Sequence, residues 1–240
     1  MLDITKVLLF IVPLLLLYIT SHIVTAMTLE FFAHGFRNRK LAIWLYSLLF
    51  LPGIILHEAS HVLTALILLV RVGDVSFFPR LEKIDHTEEI RLGYAQIAKS
   101  DVFRSSIIGF APLLLGFLLL GFGNWYLFGE PTTWESTLHT ILSWKGVVAI
   151  YGGLSISQLM WTSKSDRQDW FMALALLLGI GTCLYLLFGI PSVSFVIPSV
   201  LYKEISLVAS SVMHGAWFVV GVNVAIVGFL FLLPRQKKQT

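Results

Sequence analysis

Within Leu56-His57-Glu58-Ala59-Ser60-His61 the chain carries an H-E-x-x-H pattern. On a helix, positions i and i+4 share a face, so His57 and His61 can offer two ring nitrogens to one metal ion. Glu58 lies about 100° further round, beside such an ion, where a general base for an activated water belongs. The pattern sits inside a long apolar run, Leu41 to Val70. Ionisable groups at membrane depth are costly and normally face a protein interior or a wet cavity. Three of them in five residues require a reason. The blander reading is a histidine pair hydrogen-bonded inside a bundle with Glu58 as partner.

A zinc site with two histidines needs a third protein ligand. The one cysteine, Cys183, lies in an apolar stretch, so neither a disulfide within the chain nor a cysteine-based metal site is possible. Asp166 and Asp169, in Thr162 to Asp169, are the best-placed carboxylates. If each apolar run below is one crossing, the end of the second and the end of the fourth lie on the same membrane side. The competing role for this stretch is capping: Ser163 or Ser165 as cap of the next helix, with Asp169 in its first turn. His22 and His214 read as interhelical hydrogen-bonders rather than ligands.

The elements that must position these residues are membrane helices. The chain has 240 residues, 57% hydrophobic and 13% charged, with a mean hydropathy of +0.83. A soluble domain carries about a quarter charged residues. The pI near 9.0 does not indicate nucleic acid, because the basic residues sit in short loops and at the C-terminus. The expected class is an all-α polytopic membrane protein forming a single integral membrane domain over 1–240. Since about 20 apolar residues span a bilayer, six spans are expected, at 5–29, 41–70, 105–128, 141–161, 170–190 and 205–233. The first is read as a retained helix rather than a signal peptide. As one straight helix, 41–70 would be about 45 Å long against a hydrocarbon core of about 30 Å, so it must tilt or break, and Pro52-Gly53 is the expected place.

Residues 71–104 are the polar exception. Gly73 to Phe78 and Ile90 to Ile97 look extended, with a charged turn, Glu82 to Glu89, between them. They predict a small surface β-hairpin between helices 2 and 3. Its edge could pair with an extended substrate, with Leu92 and Tyr94 as candidate substrate-binding residues. The basic loop 36–40 and the basic tail both favour the cytoplasm, yet six spans would set them on opposite sides.

An H-E-x-x-H inside a membrane helix, a small surface hairpin, the helix with Gly109-Phe110-Ala111-Pro112, and an aspartate near the end of a later helix together resemble the site-two-protease group of intramembrane zinc metalloproteases. The likeness runs from about Gly53 to Asp169. It implies zinc held by His57, His61 and an aspartate, with Glu58 as catalytic base. In that group the aspartate often precedes glycine in an L-D-G-like stretch, whereas here Ser165-Asp166-Arg167 stands there. No inserted peptide-binding domain is visible. The expected function is a zinc metalloendopeptidase that cuts membrane-protein or membrane-proximal peptide substrates. It would work in the lipid bilayer as a multi-pass protein of the plasma membrane, with no nucleic acid partner. The alternative is a non-hydrolytic metal-binding membrane protein: a pseudoprotease scaffold, or a metal transporter or sensor. A transporter should place more ionisable residues at depth than this chain does.

Overall fold

The structure is a computed structural model describing residues 4–84, 87–128, 142–161 and 199–232, together with Asp166, Ala175 and Gly179. Six helices are described: α1 (Ile4–Phe36), α2 (Arg39–Leu49), α3 (Leu51–Ile67), α4 (Val102–Phe128), α5 (Trp144–Leu159) and α6 (Ser199–Leu232). Among the described residues, α1, α4 and α6 are long and apolar enough to cross a membrane; the bent pair α2–α3 makes a fourth if it counts as one span. The six expected spans are thus not confirmed among the described residues. At 16 residues, α5 is about 24 Å long, short of a bilayer core. Of the expected span 170–190 the structure describes Ala175 and Gly179; the rest of it, Cys183 included, lies outside the described residues.

The expected break in 41–70 is present, but at Phe50 rather than at Pro52-Gly53. There α2 and α3 meet at 76°. Pro52 occupies the first turn of α3. It has no N–H for the Leu48 carbonyl and its ring crowds that carbonyl, so the helix breaks on its N-terminal side. The Phe50 N–H closes α2 instead. At the start of α2, the Asn38 side chain accepts from the Lys40 and Leu41 N–H groups at 3.0 and 3.2 Å. α3 ends three residues before Val70. Leu69 adopts a left-handed φ of 57°, and the Val70 N–H returns to the Ala65 carbonyl at 2.8 Å, an αL-type helix stop.

The polar segment is more strand-rich than expected. β1 (Val72–Ser76) pairs antiparallel with β4 (Tyr94–Ile97), and β2 (Arg80–Ile84) with β3 (Thr87–Arg91). The predicted charged turn therefore falls largely within a second, outer hairpin. Leu92 and Gly93 interrupt what had looked like one strand. Trp44 of α2 stacks on Phe78 at 6.4 Å, and β1 and β4 pack on α3.

Helix α6 packs against both α1 and α4, while α3 packs against α4 and α5. One apolar cluster, with Leu17, Leu120, Met160, Ala216 and Val219, joins α1, α4 and α6. A second, Ala65, Val70 and Ile108 with Val72 and Ile97, lies under the inner hairpin and seats the start of α4 against the end of α3. Gly53 allows α3 to approach α5: a Cβ there would lie 2.1 Å from the Ser155 carbonyl oxygen.

Candidate metal centre

His57 and His61 lie in the middle of α3, the first half-buried and the second 6% exposed. As the i, i+4 spacing requires, they share a face, with ring centroids 4.9 Å apart. Each ring is held by a backbone carbonyl of a different helix. His57 Nδ1 donates to the Leu159 carbonyl and His61 Nδ1 to the Ile108 carbonyl at 2.8 Å. A carbonyl can only accept, so both Nδ1 atoms carry hydrogen. In the neutral rings both Nε2 atoms are then lone-pair acceptors.

Those two Nε2 atoms face each other at 3.3 Å. Asp166 closes the triangle: Oδ1 lies 3.5 Å from His61 Nε2, and Oδ2 lies 3.8 Å from His57 Nε2. The structure thus brings together three of the predicted ligands, and their ligand atoms lie within 4.8 Å of one another. Asp169, the alternative, lies outside the described residues. Around a tetrahedral zinc with bonds of about 2.0–2.2 Å, neighbouring ligand atoms are about 3.3–3.6 Å apart. Two imidazole Nε2 atoms and a carboxylate at these separations can hold a metal ion, and carbonyl-anchored histidines are the usual outer support of such a site.

Glu58 is 7% exposed and faces the hairpin. A Cβ on Gly93 would lie 3.0 Å from the Glu58 Cγ and Oε1 and 2.9 Å from Ile54 Cγ2. The break between β3 and β4 therefore lies on the glutamate, and the half-buried Leu92 and Tyr94 flank that contact.

Sequence reasoning missed what fixes the last turn of α5. Asn223 of α6, fully buried, donates to Thr20 at 3.1 Å and Ser21 at 3.4 Å on α1. Its amide oxygen accepts from Gln158 at 3.2 Å. Thr25 donates to the Gln158 amide oxygen at 2.9 Å, which leaves the Tyr46 hydroxyl to donate to Thr25 at 3.1 Å. This network joins α1, α2, α5 and α6 one residue before Leu159, the carbonyl that holds His57. The signal was available: an amide in the apolar run Val219 to Val227 is costly unless paired. His22 and His214 are corrections. Among the described residues neither bonds between helices: His22 donates to the Tyr18 carbonyl at 2.9 Å and His214 to the Ser210 carbonyl at 2.7 Å, each within its own helix.

No protein-family model, curated protein or solved structure matches the chain.

Proposed function

We propose that this chain is an intramembrane zinc metalloprotease that hydrolyses peptide bonds in or near transmembrane segments of other membrane proteins. The carrying observation is the pair of Nε2 atoms 3.3 Å apart, each left as an acceptor by the carbonyl bound to its Nδ1. Two lone pairs and a carboxylate at this spacing repel one another unless a cation lies among them.

His57, His61 and Asp166 would hold that ion. A bound zinc would supply Lewis acidity, polarising the scissile carbonyl and lowering the pKa of a nearby water toward about 7. Glu58 takes the proton of the attacking water and returns it to the leaving amine. Its burial shields this transfer from bulk solvent. A substrate helix must first unwind, because its carbonyls are bonded within it. β4 has one strand partner among the described residues, and its open edge would hold the extended segment, with Leu92 and Tyr94 against the substrate. The protein is multi-pass on this reading, and its setting the plasma membrane.

A second reading uses the same distances. The cation could be a proton, making a buried imidazolium–carboxylate pair of His61 and Asp166 at 3.5 Å in a non-hydrolytic scaffold. Metal content separates the two. Detergent-purified wild type, His57→Ala, Asp166→Ala and Asp169→Ala would be measured by elemental mass spectrometry. About one zinc per chain is expected in wild type and Asp169→Ala, and none in the other two. Wild type without metal after zinc is supplied would overturn the protease reading.

A further inference from the structure

The two carbonyls that anchor the histidines are free for different reasons. Leu159 is the last residue of α5, and the last carbonyls of a helix have no partner within it. Ile108 lies inside α4. In an unbroken helix its carbonyl would accept from the N–H four residues on. That residue is Pro112, which has no N–H. The buried Ile108 oxygen takes its hydrogen bond from His61 Nδ1 instead, at 2.8 Å.

We propose that Pro112 is a positioning residue for the metal centre. By withholding the helical donor from the Ile108 carbonyl, it fixes His61 as the Nδ1–H tautomer and presents Nε2 to the ion. This rests on the metal-centre reading above and names the element that tunes it. Pro112 also lines the small cavity beside His57, together with Gly53 and Gly116. The proline therefore serves the site from α4, more than forty positions along the chain from His61, without contributing a ligand. A proline acting only as a bend in α4 would leave the histidine chemistry unchanged when replaced.

The test is Pro112→Ala, which restores an N–H at that position to compete for the Ile108 carbonyl. Full-length wild type, Pro112→Ala and Pro13→Ala, a control at the helix-interior proline of α1, would be titrated with zinc against a chromophoric chelator. The visible spectrum of each would be recorded with cobalt(II) in place of zinc. Loss of an outer-shell partner weakens metal binding by roughly 10–100-fold. Pro112→Ala should show that loss and an altered cobalt spectrum, with Pro13→Ala matching wild type. Equal affinity and an unchanged spectrum in Pro112→Ala, with wild type binding metal, would overturn the proposal and leave the metal site standing. Wild type that binds no metal would overturn both. A second measurement does not depend on the variant folding. Imidazole nitrogen chemical shifts of metal-free wild type should show His61 protonated at Nδ1; protonation at Nε2 alone would overturn the proposal.

Discussion

Gly93 lies against Glu58 so closely that a single added methyl would sit 3.0 Å from the carboxyl oxygen Oε1. The hairpin thus touches the proposed base through the one residue type without a side chain. Gly93→Ala must push either the hairpin or the carboxylate, with Ile54 blocking the remaining direction at 2.9 Å. A base displaced by about 1 Å costs on the order of 100-fold in rate. We expect Gly93→Ala to retain zinc, because none of the three ligands moves, and to lose hydrolysis of a membrane-embedded peptide by about that factor. Activity within twofold of wild type would show that the hairpin does not set the carboxylate.

The network through Asn223 should matter for stability more than for metal. Asn223→Ala removes the shorter of two acceptors of the buried Gln158 amide, leaving the Ser157 hydroxyl at 3.4 Å, and it takes the amide donor from Thr20 and Ser21. Unpaired buried donors cost about 1–3 kcal/mol, and hydrogen bonds between membrane helices lie toward the lower end. Reversible unfolding in mixed micelles should therefore show a loss of about 1–2 kcal/mol, with zinc still bound at saturating concentration. No change in unfolding would mean the amide contacts are replaced by other partners.

Asp101 precedes α4, and its carboxylate accepts from the Arg104 N–H at 3.1 Å while the Arg104 guanidinium lies 3.2 Å away. Chiefly that N–H holds the Asp101 pKa below its ordinary 3.8. A depressed carboxylate stabilises the folded state above its ordinary pKa, and that contribution disappears as pH falls through the lower folded value. Asn at this position still caps but carries no charge. Metal-free wild type should be more stable than metal-free Asp101→Asn at pH about 6, with the gap closing below about pH 4. Comparing metal-free proteins removes the separate effect of acid on ligand binding. A gap that is constant with pH would show that the charge contributes nothing.

How much of this was legible depends on whether a side chain or the backbone does the work. That His57 and His61 share a face followed from spacing alone, because i, i+4 on a helix fixes it. Asp166 was reachable by counting crossings, although α5 is short and α2–α3 are bent by 76°. The bend was legible from Pro52, but its position was not, because the proline acts on the turn before it. The end of α3 was hidden: Leu69 in a left-handed conformation has no sequence signature, whereas a glycine there would have had one. Glu82 to Glu89 looked like a turn because charge masks strand pairing in an outer hairpin. The carbonyls of Leu159 and Ile108 carry no letter in the sequence. Only Pro112 betrays one of them, and only once the helix around it is known.

Glu58 is the residue on which the distinction between protease and scaffold rests. It shares α3 with both histidines yet points to the hairpin, where Gly93 meets its Cγ and Oε1, and it is not one of the three side chains whose ligand atoms converge. A base that holds no metal can be replaced without emptying the site. Glu58→Gln preserves shape and removes the proton acceptor, so zinc content and affinity should match wild type. Hydrolysis should fall by about 10²–10⁴-fold, the usual contribution of general acid–base catalysis. Elemental analysis and cleavage of a membrane-embedded peptide, run on the same preparation, read both quantities. Loss of zinc in this variant would reassign Glu58 as a ligand. Zinc retained with cleavage undiminished would place the proton transfer on another group.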